Sequence, residues 1–229
     1  SFQQLRHLDV GGNSVTAGMD KCCSVLGQQV GLQTLGLAYV LKGQHGESES
    51  AMPDLIRLLA SGMHEESLTH LDVRGNCMAP TTPFFMALAT GNHSALQTLI
   101  LRENELTDSG IDLLCKEMFE SAGGRLSANL TSLDLHRVGM GDDGLLSLAA
   151  SVHNAPRLAE LNIGYNSCTK LGLGAFARAL LDGACTKLSA LVFQGNRINH
   201  PHVVAMAAEW GDGLHRERCT RLLTTQFAA

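Results

Sequence analysis

The residues in this chain best suited to chemistry are its 7 cysteines and 10 histidines. A zinc site needs three or four ligands to converge, and in a chain of this kind Cys-x-x-Cys pairs would announce them. Cys22, Cys23, Cys77, Cys115, Cys168, Cys185 and Cys219 form no such pair, and His200-Pro201-His202 has no cysteine close by in sequence. An odd number of cysteines in 229 residues also argues against a disulfide framework. They read as small buried hydrophobes, which places the chain in the cytoplasm or another reducing compartment. The signatures GxxxxGK[ST], HExxH and GxSxG do not occur, and Gly172-Leu173-Gly174 is too short to cradle a dinucleotide. The expectation is a protein without catalytic residues, cofactor or metal. Two N-x-S/T triplets, at Asn92 and Asn129, are of a kind common by chance.

The remaining polar residues of interest sit at fixed offsets from leucine, and leucine supplies 37 of the 229 residues. The string LxxLxLxxNxL runs through the chain. It appears as Leu5, Leu8, Val10, Asn13, Val15; as Leu68, Leu71, Val73, Asn76, Met78; and as Leu96, Leu99, Leu101, Asn104, Leu106. It returns as Leu130, Leu133, Leu135, Val138, Met140; as Leu158, Leu161, Ile163, Asn166, Cys168; and as Leu188, Leu191, Phe193, Asn196, Ile198. A degenerate copy is Leu32, Leu35, Leu37 with Val40, and a partial eighth runs from Cys219 through Leu222. Successive starts are 27, 36, 28, 34, 28 and 30 residues apart. Self-similarity at such a period signals a stacked repeat architecture.

Each unit must contain a strand and a helix. In Leu-x-Leu, alternate side chains point to opposite faces, so the leucines bury one side of a strand. About fifteen residues after the first leucine, apolar residues recur at i, i+3, i+4 and i+7, the spacing of a helix with one buried face. The sets are Ile111, Leu114, Cys115, Met118; Leu145, Leu148, Ala149, Val152; Leu173, Phe176, Ala177, Leu180; and Val203, Met206, Ala207, Trp210. Met19, Cys22, Cys23, Leu26 and Leu55, Leu58, Leu59 match in the first two units. Thr107-Asp108-Ser109 and Asp142-Asp143 supply polar starts for their helices. The fold class is α/β: a leucine-rich-repeat solenoid, a horseshoe with parallel strands on the concave face and helices on the convex face. The recurring asparagine is expected to satisfy backbone groups where the chain leaves the strand.

The pattern resembles the ribonuclease-inhibitor-like subclass of leucine-rich repeats, whose units carry a full helix. The resemblance covers essentially residues 2–229. It implies a non-catalytic protein-interaction scaffold, or a structural subunit of a larger assembly. Other members of the subclass imply two alternatives: a regulatory domain acting on a partner enzyme, as in Ran GTPase activators and ribonuclease inhibitors, or the sensing domain of an innate immune receptor. The chain lacks the very high cysteine content of ribonuclease inhibitors.

Residues 1–229 are thus expected to form one domain of about seven repeats plus a partial eighth, a fragment of a longer array. The second unit is long because of a polar insertion at 42–50, and the fourth because of 121–129. Departures from period mark candidate functional loops. Leu5, Leu8 and Val10 begin a strand with no polar cap before it, so further repeats or a partner are expected at this edge.

On each strand the residues between the leucines face away from the core. Units three to five concentrate charge there: Asp72, Arg74, Ile100, Arg102, Glu103, Asp134, His136 and Arg137 form the candidate protein-binding face. His7, His70 and His136 lie in alternate units, about 9.6 Å apart, too far to share one metal. The net charge of −5 disfavours nucleic acid, although Arg74, Arg102, His136 and Arg137 form a local basic strip. No run of apolar residues is long enough for membrane insertion.

Overall fold

The computed structural model describes residues 5–13, 18–28, 31–40, 48–62, 64–78, 82–120, 127–210 and 215–225. Seven three-residue strands carry the repeat: β1 His7–Asp9, β2 Thr34–Gly36, β3 His70–Asp72, β4 Thr98–Ile100, β5 Ser132–Asp134, β6 Glu160–Asn162 and β7 Ala190–Val192. They form one parallel sheet in chain order, and its two edges do not pair with each other. The register places Leu8, Leu35, Leu71, Leu99, Leu133, Leu161 and Leu191 in a single row. From Leu35 onward every member of that row is buried, whereas Leu8 is half-exposed. A repeat unit alone has nothing to bury its leucines against; stacking supplies it.

The outer layer consists of α1 Met19–Leu26, α2 Ser48–Ala60, α3 Thr82–Thr90, α4 Thr107–Leu114, α5 Asp142–Ser151, α6 Lys170–Leu181, α7 His200–Glu209 and α8 Arg216–Thr224. The helical sets read from spacing are core-facing: Ile111, Leu114, Cys115, Met118, Leu145, Leu148, Leu173, Phe176, Ala177, Leu180 and Val203 are all buried. None of the helices is long and apolar enough to cross a membrane among the described residues.

Four features differ from the sequence reading. Helix α3, which the spacing left without an assigned set, buries the adjacent pair Phe84 and Phe85 edge to face, with ring centroids 5.5 Å apart. Beyond α4, Cys115–Glu120 widens into a π-helical turn that brings Phe119 into the core beside Met118. The insertion at 42–50 is shorter than expected, because Ser48–Ser50 form the first turn of α2; residues 42–47 lie outside the described residues. The stretch from Cys219 is helix α8, and it adds no eighth strand among the described residues. Cys219, Leu222 and Leu223 are spaced i, i+3, i+4, which suits a helix burying one face, and all three are buried. Helix α8 packs against β7, α6 and α7. Its Arg218 guanidinium donates to the carbonyls of Leu180, Ala184 and Cys185 at the end of α6.

Asparagine joins the units. Asn76 Nδ2 donates to Val73 O in its own unit (2.9 Å) and to Leu37 O in the unit before (2.8 Å). Asn104 repeats this with Leu101 O (2.8 Å) and Val73 O (3.1 Å), while its Oδ1 accepts from Asn76 N (2.8 Å). Asn166 and Asn196 do the same further along. Asn13 contacts Val10 O and Gly11 O in its own unit. At these four strand ends, backbone groups stranded as the chain turns away are thereby satisfied across the unit boundary.

The helix starts are also served from the neighbouring unit. Asp108, expected to cap its own helix, accepts instead from Gly141 N (2.6 Å) and Gly144 N (2.9 Å) at the start of α5. Asp142 in turn accepts from Thr169 N (2.7 Å) and Gly172 N (3.1 Å) at the start of α6. A Cβ on Gly172 would lie 2.7 Å from Asp142 Oδ1, so glycine is required for the approach. Burial acts to raise the Asp142 pKa, but the Thr169 hydroxyl and these two amides outweigh it and hold the carboxyl below its ordinary value. Helix α7 is capped within its own unit by Asn199 and His202 in a capping box with Pro201 at the first turn, which accounts for the His-Pro-His motif.

On the opposite rim two buried histidines tie helix ends to the next unit. His64 Nε2 lies 3.0 Å from Leu26 O and His93 Nε2 lies 2.8 Å from Leu59 O, so each Nε2 carries the proton and donates it. The Nδ1 atoms are buried with no hydrogen-bond partner. Burial lowers both pKa values from the ordinary 6.5, against the opposing pull of the carbonyls.

Two predictions follow from this packing. Leu133→Ala removes a member of the central row and should cost about 2–5 kcal/mol in chemical denaturation; an unchanged midpoint would disprove the register. The histidines should make the fold acid-sensitive. With folded pKa values below 6.5, the unfolded chain binds more protons in the window beneath 6.5. Stability should therefore be full above that value and fall as pH drops through the window. A His64→Gln, His93→Gln variant should show a flatter melting temperature between pH 7 and 5, and an equal slope would exclude the histidines as its source.

Candidate functional site

The strand-end loops place the candidate residues in ordered columns. On four strands, the residue after the central leucine folds its side chain onto the amide two positions on. Gly11 N donates to Asp9 Oδ1 (2.8 Å), Arg74 N to Asp72 Oδ1 (3.1 Å), His136 N to Asp134 Oδ1 (3.0 Å) and Gly164 N to Asn162 Oδ1 (3.0 Å). This is a local side-chain-to-backbone turn. Asp72 also forms an ion pair with Arg74 Nη2 at 2.6 Å, and it is buried. Asp72 and Asp134 thus shape the site, and Asp72 has little surface left to offer a partner. Ile100, at the same position on β4, has no such turn to make and is half-buried.

Two residues beyond, Arg74, Arg102 and His136 occupy one column, followed by Gly164 and Gln194. Their carbonyls accept in order from Tyr39 N (2.9 Å), Gly75 N (3.0 Å), Glu103 N (2.8 Å), Arg137 N (3.0 Å) and Tyr165 N (2.7 Å). The donors form the next column, and all of it is left-handed: Gly12, Tyr39, Gly75, Glu103, Arg137, Tyr165 and Gly195 have φ between 53° and 76°. Non-glycine residues disfavour this conformation, so its persistence at four of them reflects the amide ladder that holds it.

Within that column large side chains lie over glycines. Tyr39 reaches across Gly75, where an added Cβ would stand 2.1 Å from its ring, and donates from Oη to Glu103 Oε2 at 2.5 Å. The bond lowers the Glu103 pKa and raises that of Tyr39. The other Glu103 oxygen accepts from Arg102 Nη2 at 3.2 Å. At the far end Tyr165 covers Gly195, meets the His136 ring at a tilt of 51° with centroids 5.0 Å apart, and lies beneath the Arg137 guanidinium at 6.0 Å. Burial, then the Arg102 charge, lowers the His136 pKa.

The structure thus brings Asp72, Arg74, Arg102, Glu103, Asp134, His136 and Arg137 onto one rim. It adds Tyr39 and Tyr165, which the sequence reading left out of the candidate set. Their signal was present: each tyrosine is followed, at the same position of the next unit, by glycine. Elsewhere on the inner wall, Ser132, Asp134, Glu160, Asn162, Ala190 and Val192 line a shallow hollow of about 230 Å³. His7 is held by Thr34 Oγ1 at 2.9 Å, and no three His, Cys, Asp or Glu side chains converge on a metal position among the described residues.

Comparison with known proteins agrees with the architecture. A family described as Leucine Rich repeat matches residues 92–115 and 126–149, the units that carry β4 and β5. Toll-like receptor 6 of Mus musculus is 31% identical over 132 residues, which cover 52% of this chain and 15% of the receptor. The chain therefore spans a small part of that relative's length. Together with the open seven-strand parallel sheet, these matches make the architecture a leucine-rich-repeat solenoid.

The tyrosine lid can be tested through the glycine beneath it. Gly12→Ala and Gly75→Ala both put a side chain at positive φ, for about 1–2 kcal/mol each. Only Gly75 has Tyr39 above it; nothing lies within 4 Å of a Cβ at Gly12. Gly75→Ala should therefore unfold at lower urea concentration than Gly12→Ala, and adding Tyr39→Ala should close the gap. Equal midpoints for the two single variants would mean that Tyr39 does not occupy this position.

Proposed function

We propose that this chain is a non-catalytic scaffold that binds a protein partner through its concave strands and the rim that carries Arg74, Arg102, Glu103, His136 and Arg137. The observation that supports the reading is the pre-ordering of that rim. Backbone ladder, side-chain turns and tyrosine–glycine packing fix charged and aromatic groups before any partner arrives, and pre-ordered groups lose less entropy on binding. Arg and Tyr are also the residue types that dominate interface energetics. Unit lengths near 28 and a helix in every unit favour the ribonuclease-inhibitor-like subclass.

A second reading, the ligand-sensing repeat domain of an innate immune receptor, draws support from the similarity to Toll-like receptor 6. Both readings use the same surface. The first edge of the sheet belongs to the proposal as well. Leu5, Leu8 and Val10 are half-exposed where Leu32, Leu35 and Leu37 are buried, so a further repeat or a partner is expected to cover them. A reducing compartment fits seven free cysteines, with burial pushing the thiols of Cys23, Cys115, Cys168 and Cys185 up to about 12.

Affinity purification with mass spectrometry of Arg102→Glu, Ile100→Asp and the convex-face control Arg178→Glu tests the proposal. A partner held by the wild type and by Arg178→Glu should fall away from both concave-face variants, with circular dichroism unchanged. Equal recovery by all three variants would move the contact surface away from the concave face.

A further inference from the structure

The charges of the rim do not all cancel, and the remainder is localised. Arg74 is answered by Asp72 and Arg102 by Glu103. Glu103 has committed both oxygens, one to Arg102 and one to Tyr39. One oxygen of Asp134 is occupied by His136 N. Arg137 stands next to Glu103 in the left-handed column, yet no carboxylate lies within 4.0 Å of its guanidinium among the described residues. It is exposed, its backbone is pinned at φ 53° by the bond to Gly164 O, and its guanidinium is placed above the Tyr165 ring. Tyr165 is 53% exposed, and its ring is supported from behind by His136 and from below by Gly195. A rigid aromatic face thus adjoins a guanidinium with no close ion pair among the described residues.

A guanidinium presents paired N–H donors that match the two oxygens of a carboxylate. We infer that Arg137, Tyr165 and His136 form the recognition site for a single Asp or Glu side chain on a protein partner, the carboxylate meeting the guanidinium and its neighbouring apolar atoms packing on Tyr165. The inference rests on the scaffold reading given above and names the partner chemistry that the scaffold selects. The surroundings favour one carboxylate over a phosphate chain. Glu103 and Asp134 border the site, and the whole chain carries a net charge of −5, so a repeating polyanion would meet repulsion. Burial, then the Arg102 charge, lowers the His136 pKa, and among the described residues Arg137 forms no ion pair within 4.0 Å, the charge of Glu103 acting on it only from farther off.

Selection of a random dodecapeptide display library on the immobilised full chain tests this directly. Enriched peptides should share an Asp or Glu. Changing that residue to Asn or Gln, or Arg137→Ala in the protein, should weaken binding by about tenfold or more, the loss of one charge-assisted pair. Tyr165→Ala should weaken it as well, and Arg178→Glu should not. Because Arg137 is exposed, its variant should melt as the wild type does, separating binding from folding. Peptides that bind Arg137→Ala undiminished, or that tolerate the amide changes, would overturn the inference. If those peptides were still lost with Ile100→Asp, the concave face would stand as the binding surface while the carboxylate site fell. Tighter binding of a single-stranded oligonucleotide than of any peptide, or no enrichment at all, would also count against it.

Discussion

The asparagines at four of the strand ends, Asn76, Asn104, Asn166 and Asn196, carry the architecture, because each satisfies two units at once. Where the chain turns off the strand, amides and carbonyls lose their ladder partners in a place water cannot reach. Asn104 answers Val73 O and Asn76 N in one unit and Leu101 O in its own. A buried polar group left without a partner costs about 1–3 kcal/mol. The boundaries that these asparagines bridge are therefore held by polar contacts that demand one register, while the leucine row supplies non-specific burial. The acids at the helix starts follow the same logic on the outer layer, with Asp108 and Asp142 each serving the next helix. No unit is complete without its neighbour.

The rim inherits its order from that arrangement. At the strand end, just before the position held by Asn in five units and by Val40 and Val138 in the other two, the chain enters the left-handed region and its N–H bonds the next unit where one follows. Glycine would be the natural choice there, and Gly12, Gly75 and Gly195 supply it. The four exceptions, Tyr39, Glu103, Arg137 and Tyr165, carry the large side chains of the rim and contact one another or the flanking column. Conformational cost is thus concentrated on the residues that carry the rim's large side chains.

Strands and their register were legible because Leu-x-x-Leu followed two residues on by an apolar side chain survives in every unit, and period two leaves no freedom in which face is buried. The column of Arg74, Arg102 and His136 followed from that register. What escaped the sequence depends on contacts 27–64 residues away. Asp108 looks like the cap of its own helix, and only the stacking distance reveals Gly141 and Gly144 as its donors. Tyr39 looks like one exposed aromatic until Gly75 and Glu103 come beneath and beside it. Helix α3 was hidden because adjacent phenylalanines blur the one-face pattern, and α8 because Cys219 and Leu222 fit the three-residue step of strand and helix templates alike.

The pre-ordered left-handed rim is the surface where we propose that a protein partner makes contact. Amide hydrogen exchange of the intact chain, alone and with the partner recovered by affinity purification, measures this most directly. The rim should be slow to exchange already in the free chain, and partner binding should add protection over 72–75, 100–103, 134–137 and 162–165 with little change in the helices. New protection confined to α1–α8, with those four segments unaltered, would contradict the claim.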